Sequence, residues 1–248
     1  MWILYYYNSG YNIKEVDRMK KYKTGFTLAE ILITLGIIGV VAAITIPGLI
    51  TTYKAHQLHS QFLKSYSTLQ QAFKQMEADD VSTNPADYKS TKDSLFYKTF
   101  IKYLAAPTDC GNYYEPKIIS GCYDYKKNPS DYRTLDGKSS PPWNWFDAGE
   151  IMLQDGTIIL FENSNANQLY IHVDLNGYNK KPNIWGYDLF TFHFKDGELK
   201  PMGAIDTNFI DNNKYCNPKI SNQFNGITCA NKAKDNTDYF KDVIKNIK

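Results

Sequence analysis

The sequence predicts an α+β fold in which one long N-terminal helix packs on an antiparallel sheet of four or five strands. Three features lead to this prediction. Residues 31–50 form an apolar run without a formal charge, and an apolar stripe with helical spacing follows it directly. Alternating apolar and polar residues with Asp-Gly turns then occupy residues 150–202, which is typical of an antiparallel sheet.

The composition is that of a chain that is polar on average and has one strongly apolar part. The chain has 248 residues, of which 43% are hydrophobic and 22% charged, and its formal charge is +2. These values exclude a polytopic membrane protein, a collagen-like chain and a chain kept disordered by its charge. The length allows one or two domains.

The apolar run is predicted to span a membrane once. Twenty helical residues rise about 30 Å, which is the thickness of the hydrocarbon core of a bilayer. The alternatives are a buried core helix, which is usually shorter, and a secretory signal, whose apolar stretch has about 7 to 15 residues. Lysines 20, 21 and 23 precede the run and only Lys54 soon follows it. This asymmetry predicts a cytoplasmic N-terminus and an exported chain beyond residue 50.

The residues around the start of this run resemble a known N-terminus. Residues 25–30 read Gly-Phe-Thr-Leu-Ala-Glu, and the apolar run that follows is interrupted by Pro47. This pattern resembles the N-terminus of type IV prepilins and type II secretion pseudopilins. The resemblance implies a pilin-like fold, cleavage between Gly25 and Phe26 by a membrane prepilin peptidase, and N-methylation of Phe26. The partners that it implies are homologous pilin or pseudopilin subunits, the peptidase and an inner-membrane assembly platform.

Residues 1–25 are interpreted as a leader. Met19 is a better start than Met1, because the residues from there to Gly25 form a short basic leader of the kind that this family uses. Residues 1–25 hold five basic and two acidic side chains, so cleavage would change the formal charge from +2 to −1. No nucleic-acid partner is therefore predicted from net charge.

Two residues within the apolar run are predicted to have special roles. A carboxylate in an apolar helix costs about 2.5 to 3.5 kcal/mol at the bilayer centre and less near the end, where Glu30 lies. The resemblance implies that Glu30 pairs with the freed amine of Phe26 on a neighbouring subunit during assembly. The alternative is a carboxylate that merely lies at the headgroup interface. Pro47 removes one backbone hydrogen bond and predicts a kink, with or without a function in bending.

The helix is predicted to continue beyond the membrane to about residue 78. Apolar residues at spacings of three and four form one stripe: Leu58, Phe62, Tyr66, Leu69, Phe73 and Met76. The predicted organisation is therefore a leader (1–25), a transmembrane helix (26–50), its amphipathic continuation (51–79) and an exported α+β head (80–248). A helix with one apolar face needs a cover, and the predicted sheet supplies it.

The strand pattern predicts which face of the sheet covers the helix. Phe190, Phe192 and Phe194 alternate with polar residues, as do the apolar residues of 169–173. The sheet is thus expected to have one apolar face, with His172 and His193 on a polar face. The turn Asp155-Gly156 is predicted to be a type I′ hairpin, and a second Asp-Gly pair follows at residues 196 and 197. Apolar residues at 95, 96, 100 and 104 predict a short helix before Pro107.

All four cysteines lie in the predicted exported part, where an oxidising compartment favours disulfides. Local pairing of Cys110 with Cys122 and of Cys216 with Cys229 is the simplest of the three connectivities. Each bridge would contribute about 3 kcal/mol by loop entropy. Zinc is the alternative, but the sequence has no Cys-x-x-Cys knuckle and no nearby histidine. The C-terminal pair resembles the disulfide loop of many type IV pilins, though not that of typical major pseudopilins.

A calcium site is a weaker hypothesis, and no cofactor is expected to be required. Asp174, Asn176 and Asp188 offer oxygen ligands in a loop, as major pseudopilins do. The spacing does not fit an EF-hand, which would need glycine at 179 and glutamate at 185. The favoured alternative is a turn in which these side chains cap their own backbone.

An enzyme is not expected. The sequence has no Gly-x-Ser-x-Gly, His-Glu-x-x-His or P-loop motif. His56 and His59 share a helical face without an acidic neighbour, and the tryptophans at 143, 145 and 185 suit a core better than a sugar-binding platform. The predicted function is a structural subunit of a type II secretion pseudopilus or a type IV pilus. The alternative is a membrane-tethered binding module or adhesin that does not polymerise.

Overall fold

The computed structural model of the chain describes residues 25–88, 95–124, 126–163, 168–236 and 238–247. The predicted leader, residues 1–25 with the alternative start at Met19, lies outside the described residues except for Gly25. The chain divides into two compact units, residues up to 46 and residues 47–248.

Helix α1, Leu28–Ala78, is the longest element and ends where the stripe of apolar residues ends. Within the second unit its buried side chains recur every three or four residues, which places them on one face of a 3.6-residue helix. They are Ala55, Leu58, Phe62, Ser65, Leu69, Ala72, Phe73 and Met76. The predicted amphipathic continuation of the helix is confirmed, with Tyr66 partly buried at the margin of the stripe.

The second unit contains one sheet of six antiparallel strands, whose order in the sheet is their order in the sequence. The strands are β1 (Thr108–Gly111), β2 (Gly149–Met152), β3 (Ile158–Glu162), β4 (Leu169–Asp174), β5 (Leu189–Lys195) and β6 (Glu198–Pro201). The fold class is confirmed, and the sheet has one strand more than the upper limit expected. The extra strand β1 reads Thr-Asp-Cys-Gly, which has no apolar alternation that could reveal it.

One face of the sheet packs on the apolar stripe of α1, as the alternation of β5 predicts. Three pairs of aromatic rings make this contact: Phe62 with Phe190 (centroids 5.0 Å apart), Tyr66 with Phe192 (5.2 Å) and Phe73 with Phe194 (4.0 Å). Ring pairs at these separations add about 0.5 to 1.5 kcal/mol each to the free energy of burial. The helix and the central strands therefore share one core.

The opposite face of the sheet is also buried, which corrects the expectation of a polar face. His172 is fully buried and His193 is 1% exposed. A second hydrophobic cluster covers them, and it includes Tyr132, Phe146 and Trp185 from the segments between the strands. The long connections fold back over this face, a tertiary effect that the period of the strands cannot reveal.

The buried histidines are held without charge. The Nδ1 atom of His172 lies 2.9 Å from the hydroxyl of Thr191, which also accepts a 2.7 Å bond from the indole N–H of Trp185. Burial lowers the pKa of His172 to about 3. Burial, with a smaller contribution from Lys195, lowers the pKa of His193 to about 4. Both rings are therefore neutral core side chains at neutral pH.

The first Asp-Gly turn differs from the predicted type I′ hairpin. A type I′ turn needs positive φ at both central residues, but at this turn only Gly156 has it, with φ 89°. The N–H of Gly156 donates to the carbonyl of Leu153 at 3.0 Å, which is the pattern of a turn followed by a glycine bulge. At the second turn both Asp196 (φ 53°) and Gly197 (φ 79°) have positive φ.

Short helices complete the second unit. The predicted helix before Pro107 is α2, Leu95–Phe100, and after the sheet come α3 (Asn212–Tyr215), α4 (Cys229–Asp235) and α5 (Tyr239–Asn246). Phe240 of α5 packs on β5, with its ring 5.5 Å from that of Phe190. The C-terminal helices thus extend the core that α1 and the sheet form.

Replacement of Phe73 by alanine should lower the free energy of unfolding by about 3 to 5 kcal/mol, because the side chain is buried and a cavity would remain. The exposed neighbour Gln75 is the matched control, and its replacement by alanine should cost less than about 0.5 kcal/mol. Thermal unfolding of the full chain in detergent measures both. Equal melting temperatures for the two variants would contradict the packing described.

Candidate processing and assembly site

Helix α1 begins with a reciprocal hydrogen-bonded cap formed by Thr27 and Glu30. The Glu30 Oε2 atom accepts 2.8 Å bonds from the backbone N–H and from the hydroxyl of Thr27. In return the Thr27 Oγ1 atom accepts a bond from the N–H of Glu30 at 3.2 Å. This arrangement is a capping box, with threonine at the N-cap and glutamate three residues later. It satisfies N–H groups that the first turn of a helix leaves unpaired.

The capping box was readable from the sequence as Thr-x-x-Glu, and the sequence analysis missed the part of Thr27. The capping box gives Glu30 a structural role in its own chain. The capping box uses only the Oε2 atom of the carboxylate. Oε1 accepts no hydrogen bond from any residue that the structure describes. The second oxygen is therefore open to a positively charged partner.

The two residues directly before the capping box are exposed. Phe26 is 85% exposed, and Gly25 before it is exposed and lies outside the helix. A protease could therefore reach the peptide bond between these two residues without unfolding α1.

Beyond Glu30, α1 presents apolar side chains in all directions. Its most apolar window of 18 residues has no buried residue, and it is long and apolar enough to cross a membrane. Exposed leucine, isoleucine and valine side chains on every side of a helix need lipid or other helices as a cover. Thr45, Thr51 and Thr52 return their hydroxyls to carbonyls of the preceding turn, so these polar groups are satisfied within the helix.

Residues 20–46 match the family model of the prokaryotic N-terminal methylation motif. The chain carries the signature of type IV pilins and pseudopilins. The match covers the leader end, the junction at Gly25 and Phe26, and the first part of α1. The prepilin signature and the apolar helix together fit a single-pass anchor in the inner membrane. No curated protein and no solved structure matches the chain.

Two local disulfides hold parts of the second unit. Cys110 at the end of β1 is joined to Cys122, with Cα atoms 5.8 Å apart. Cys216, directly after α3, is joined to Cys229 at the start of α4, with Cα atoms 5.1 Å apart. Cys216 and Cys229 are buried in the core that contains the stripe of α1. The second bridge therefore fixes the C-terminal helices against that core.

The calcium candidates have other hydrogen-bond partners in the structure. Asp174 accepts the N–H groups of Asn176 and Gly177 and the hydroxyl of Tyr132. Asp188 accepts the N–H groups of residues 183 and 184, at 3.0 and 2.6 Å. Calcium would have to replace these bonds, and the lysines at 180 and 181 next to the loop would repel it. The calcium site stays a prediction.

The residues of the second unit that could bind a metal or form an aromatic platform make structural contacts instead. Cys110, Cys122 and Glu150 lie within 4.8 Å of one another, but both sulfurs belong to the disulfide. His59 lies against Phe240, with ring centroids 5.8 Å apart. Trp185 is fully buried, whereas Trp143 is 40% exposed and stacks on Tyr113. The three tryptophans do not form one common platform.

One half-buried carboxyl outside these groups, that of Asp147, has a strongly shifted pKa. Burial raises the pKa of Asp147 to about 7, and the negative charge of the neighbouring Glu162 contributes in the same direction. The unfolded chain would release this proton near pH 3.8. The folded state therefore binds the proton more tightly, and the contribution of Asp147 to stability is lost as the pH rises from about 4 to about 7.

Replacement of Asp147 by asparagine should remove this pH dependence. The melting temperature of the variant minus that of the unmodified chain should be larger at pH 8 than at pH 5, because asparagine cannot ionise beside Glu162. The exposed Asp235, replaced by asparagine, is the control. A variant whose difference from the unmodified chain is the same at both pH values would refute the proton linkage.

Proposed function

We propose that this chain is a prepilin-like structural subunit that is cleaved after Gly25, N-methylated at Phe26 and assembled into a type II secretion pseudopilus or a type IV pilus. The observation that carries the proposal is the prepilin signature at residues 20–46, which ends in an exposed apolar helix. In the membrane, lipid would cover this helix. In a filament, the same helices of neighbouring subunits would cover it.

The orientation and the partners follow from the same signature. The basic leader would hold the N-terminus in the cytoplasm, where a prepilin peptidase would cut, and the head would be exported. An assembly platform in the inner membrane would then extract the subunit from the bilayer. The 223 residues from Phe26 to Lys248 are many for a major subunit and favour a minor component.

The free oxygen of Glu30 supports a role in assembly. After cleavage the amine of Phe26 carries a positive charge, and so it suits a carboxylate in an apolar environment on a neighbouring subunit. Oε2 would stay in the capping box while Oε1 meets the amine. The capping box would then hold the carboxylate in place before the neighbour arrives.

Mass spectrometry of the N-terminus of the membrane-extracted protein tests the proposed processing. We expect a chain that begins with methylated phenylalanine at position 26. Replacement of Gly25 by a bulkier residue should leave the leader attached. An intact N-terminus at Met1 or Met19 in the unmodified protein would exclude the prepilin function and favour a tethered binding module.

Two variants separate the charge of Glu30 from its part in the capping box. Glu30→Gln keeps an N3 side chain that can close a capping box, but it removes the negative charge. Thr27→Ala removes the hydroxyl of the cap, at a cost of about 1 kcal/mol in helix stability, and leaves the charge. We expect Glu30→Gln to be processed normally but to enter sheared filaments several-fold less often than Thr27→Ala.

The measurement is the ratio of filament-bound to processed subunit, determined by immunoblotting of sheared and membrane fractions. This ratio corrects for any effect of either change on cleavage. If Glu30→Gln enters filaments as efficiently as the unmodified chain, the charge of Glu30 has no part in assembly.

A further inference from the structure

A small cleft in the second unit contains three lysines from two segments that are far apart in the sequence. Its volume is about 160 Å³, and its lining includes Lys54 from α1 and Lys180 and Lys181 from the connection between β4 and β5. Gln61, Asn176 and Tyr187 complete the polar wall. The fold therefore places basic groups from two distant segments around one space.

Two of these lysines have no acidic partner in the part of the chain that the structure describes. Lys181 lies 3.5 Å from a carboxylate oxygen of Asp131, whereas Lys54 and Lys180 form no ion pair within 4.0 Å. All three side chains are exposed. Ammonium groups that line one cleft repel one another, and an anion between them would relieve this repulsion.

The wall of the cleft also contains hydrogen-bond acceptors that lack a donor. The amide oxygens of Gln61 and Asn176 are shielded from solvent and accept no hydrogen bond. The orientation of the Asn176 amide is fixed, because its nitrogen donates to the carbonyl of Lys180 at 3.1 Å. The terminal torsion of a glutamine is soft, so Gln61 can turn its oxygen towards the cleft at little cost. A group with hydrogen-bond donors would satisfy such acceptors.

The position of Lys54 on α1 places this lysine at the height of lipid headgroups. The apolar run ends at residue 50, and Lys54 follows one helical turn later, a rise of about 6 Å. The headgroup region of each leaflet is about 5 to 8 Å thick. Tyr53, which is 69% exposed, lies directly before the lysine, and tyrosine is enriched at this depth of a membrane.

We propose that the cleft binds the headgroup of a phospholipid of the exported leaflet while the subunit is anchored in the membrane. The phosphate lies between Lys54 and Lys180, and the hydroxyl or ammonium donors at the end of the headgroup reach the amide oxygen of Gln61 after its side chain has turned towards the cleft. Phosphatidylglycerol and phosphatidylethanolamine have such donors, whereas phosphatidylcholine has none. The inference rests on the membrane anchoring in the proposed function. The contact with the headgroup would be broken when the subunit leaves the bilayer.

Native mass spectrometry of the full chain in mild detergent tests this inference by counting bound lipids. The variant Lys54→Gln with Lys180→Gln removes both unpaired charges. The control Lys219→Gln with Lys245→Gln removes two exposed lysines that do not line this cleft. We expect the first variant to bind phosphatidylglycerol and phosphatidylethanolamine about tenfold more weakly than the control. Phosphatidylcholine should bind weakly to both.

Three outcomes would overturn the inference. They are equal lipid binding by both variants, binding of phosphatidylcholine as tight as that of phosphatidylethanolamine, and displacement of the lipid by an equal concentration of glycerol phosphate, which would identify a soluble phosphate as the ligand. The N-terminal mass spectrum of the same samples reports processing independently. A processed, membrane-extracted chain without selective lipid binding would contradict this inference alone.

Discussion

The contact between the apolar stripe of α1 and the phenylalanines of β5 is the interaction on which the second unit depends. An amphipathic helix of this length is stable only when its apolar face is covered, because propensity alone contributes little. β5 is a seven-residue strand whose phenylalanines match the spacing of the aromatic residues on the helix. The C-terminal helices and the second disulfide then pack around this contact.

Much of this core could be predicted, since it follows from two simple periods. The stripe on α1 has the period of a helix and the phenylalanines of β5 have that of a strand, so each pattern indicates both its element and its buried face. β1 escaped prediction because four residues with one buried cysteine carry no period. The burial of His172 and His193 escaped for another reason: the residues that cover them belong to irregular connections, whose path depends on tertiary contacts.

The functional residues differ in how far the sequence predicts them. Gly25, Phe26 and Glu30 were proposed from a local motif, and the match at residues 20–46 covers them. The part of Thr27 was missed although it has a local signal, because a threonine three residues before a glutamate at a helix start is the pattern of a capping box. The cleft that contains Lys54 and Lys180 has no local signal at all, since folding alone brings these lysines together. Sequence patterns reveal chemistry that is continuous along the chain and miss chemistry that the fold assembles.

The order of the strands has a consequence for how the head acquires its structure. Each strand pairs with the strand that precedes it in the chain, so the sheet contains no crossover. In a chain that leaves the cytoplasm from its membrane anchor onward, each strand would find its partner already outside. Both disulfides also close within short segments, 12 and 13 residues apart, so neither has to wait for a distant cysteine. The topology therefore suits folding that keeps pace with translocation, in which α1 would be exported first and would provide the surface on which the later strands pack.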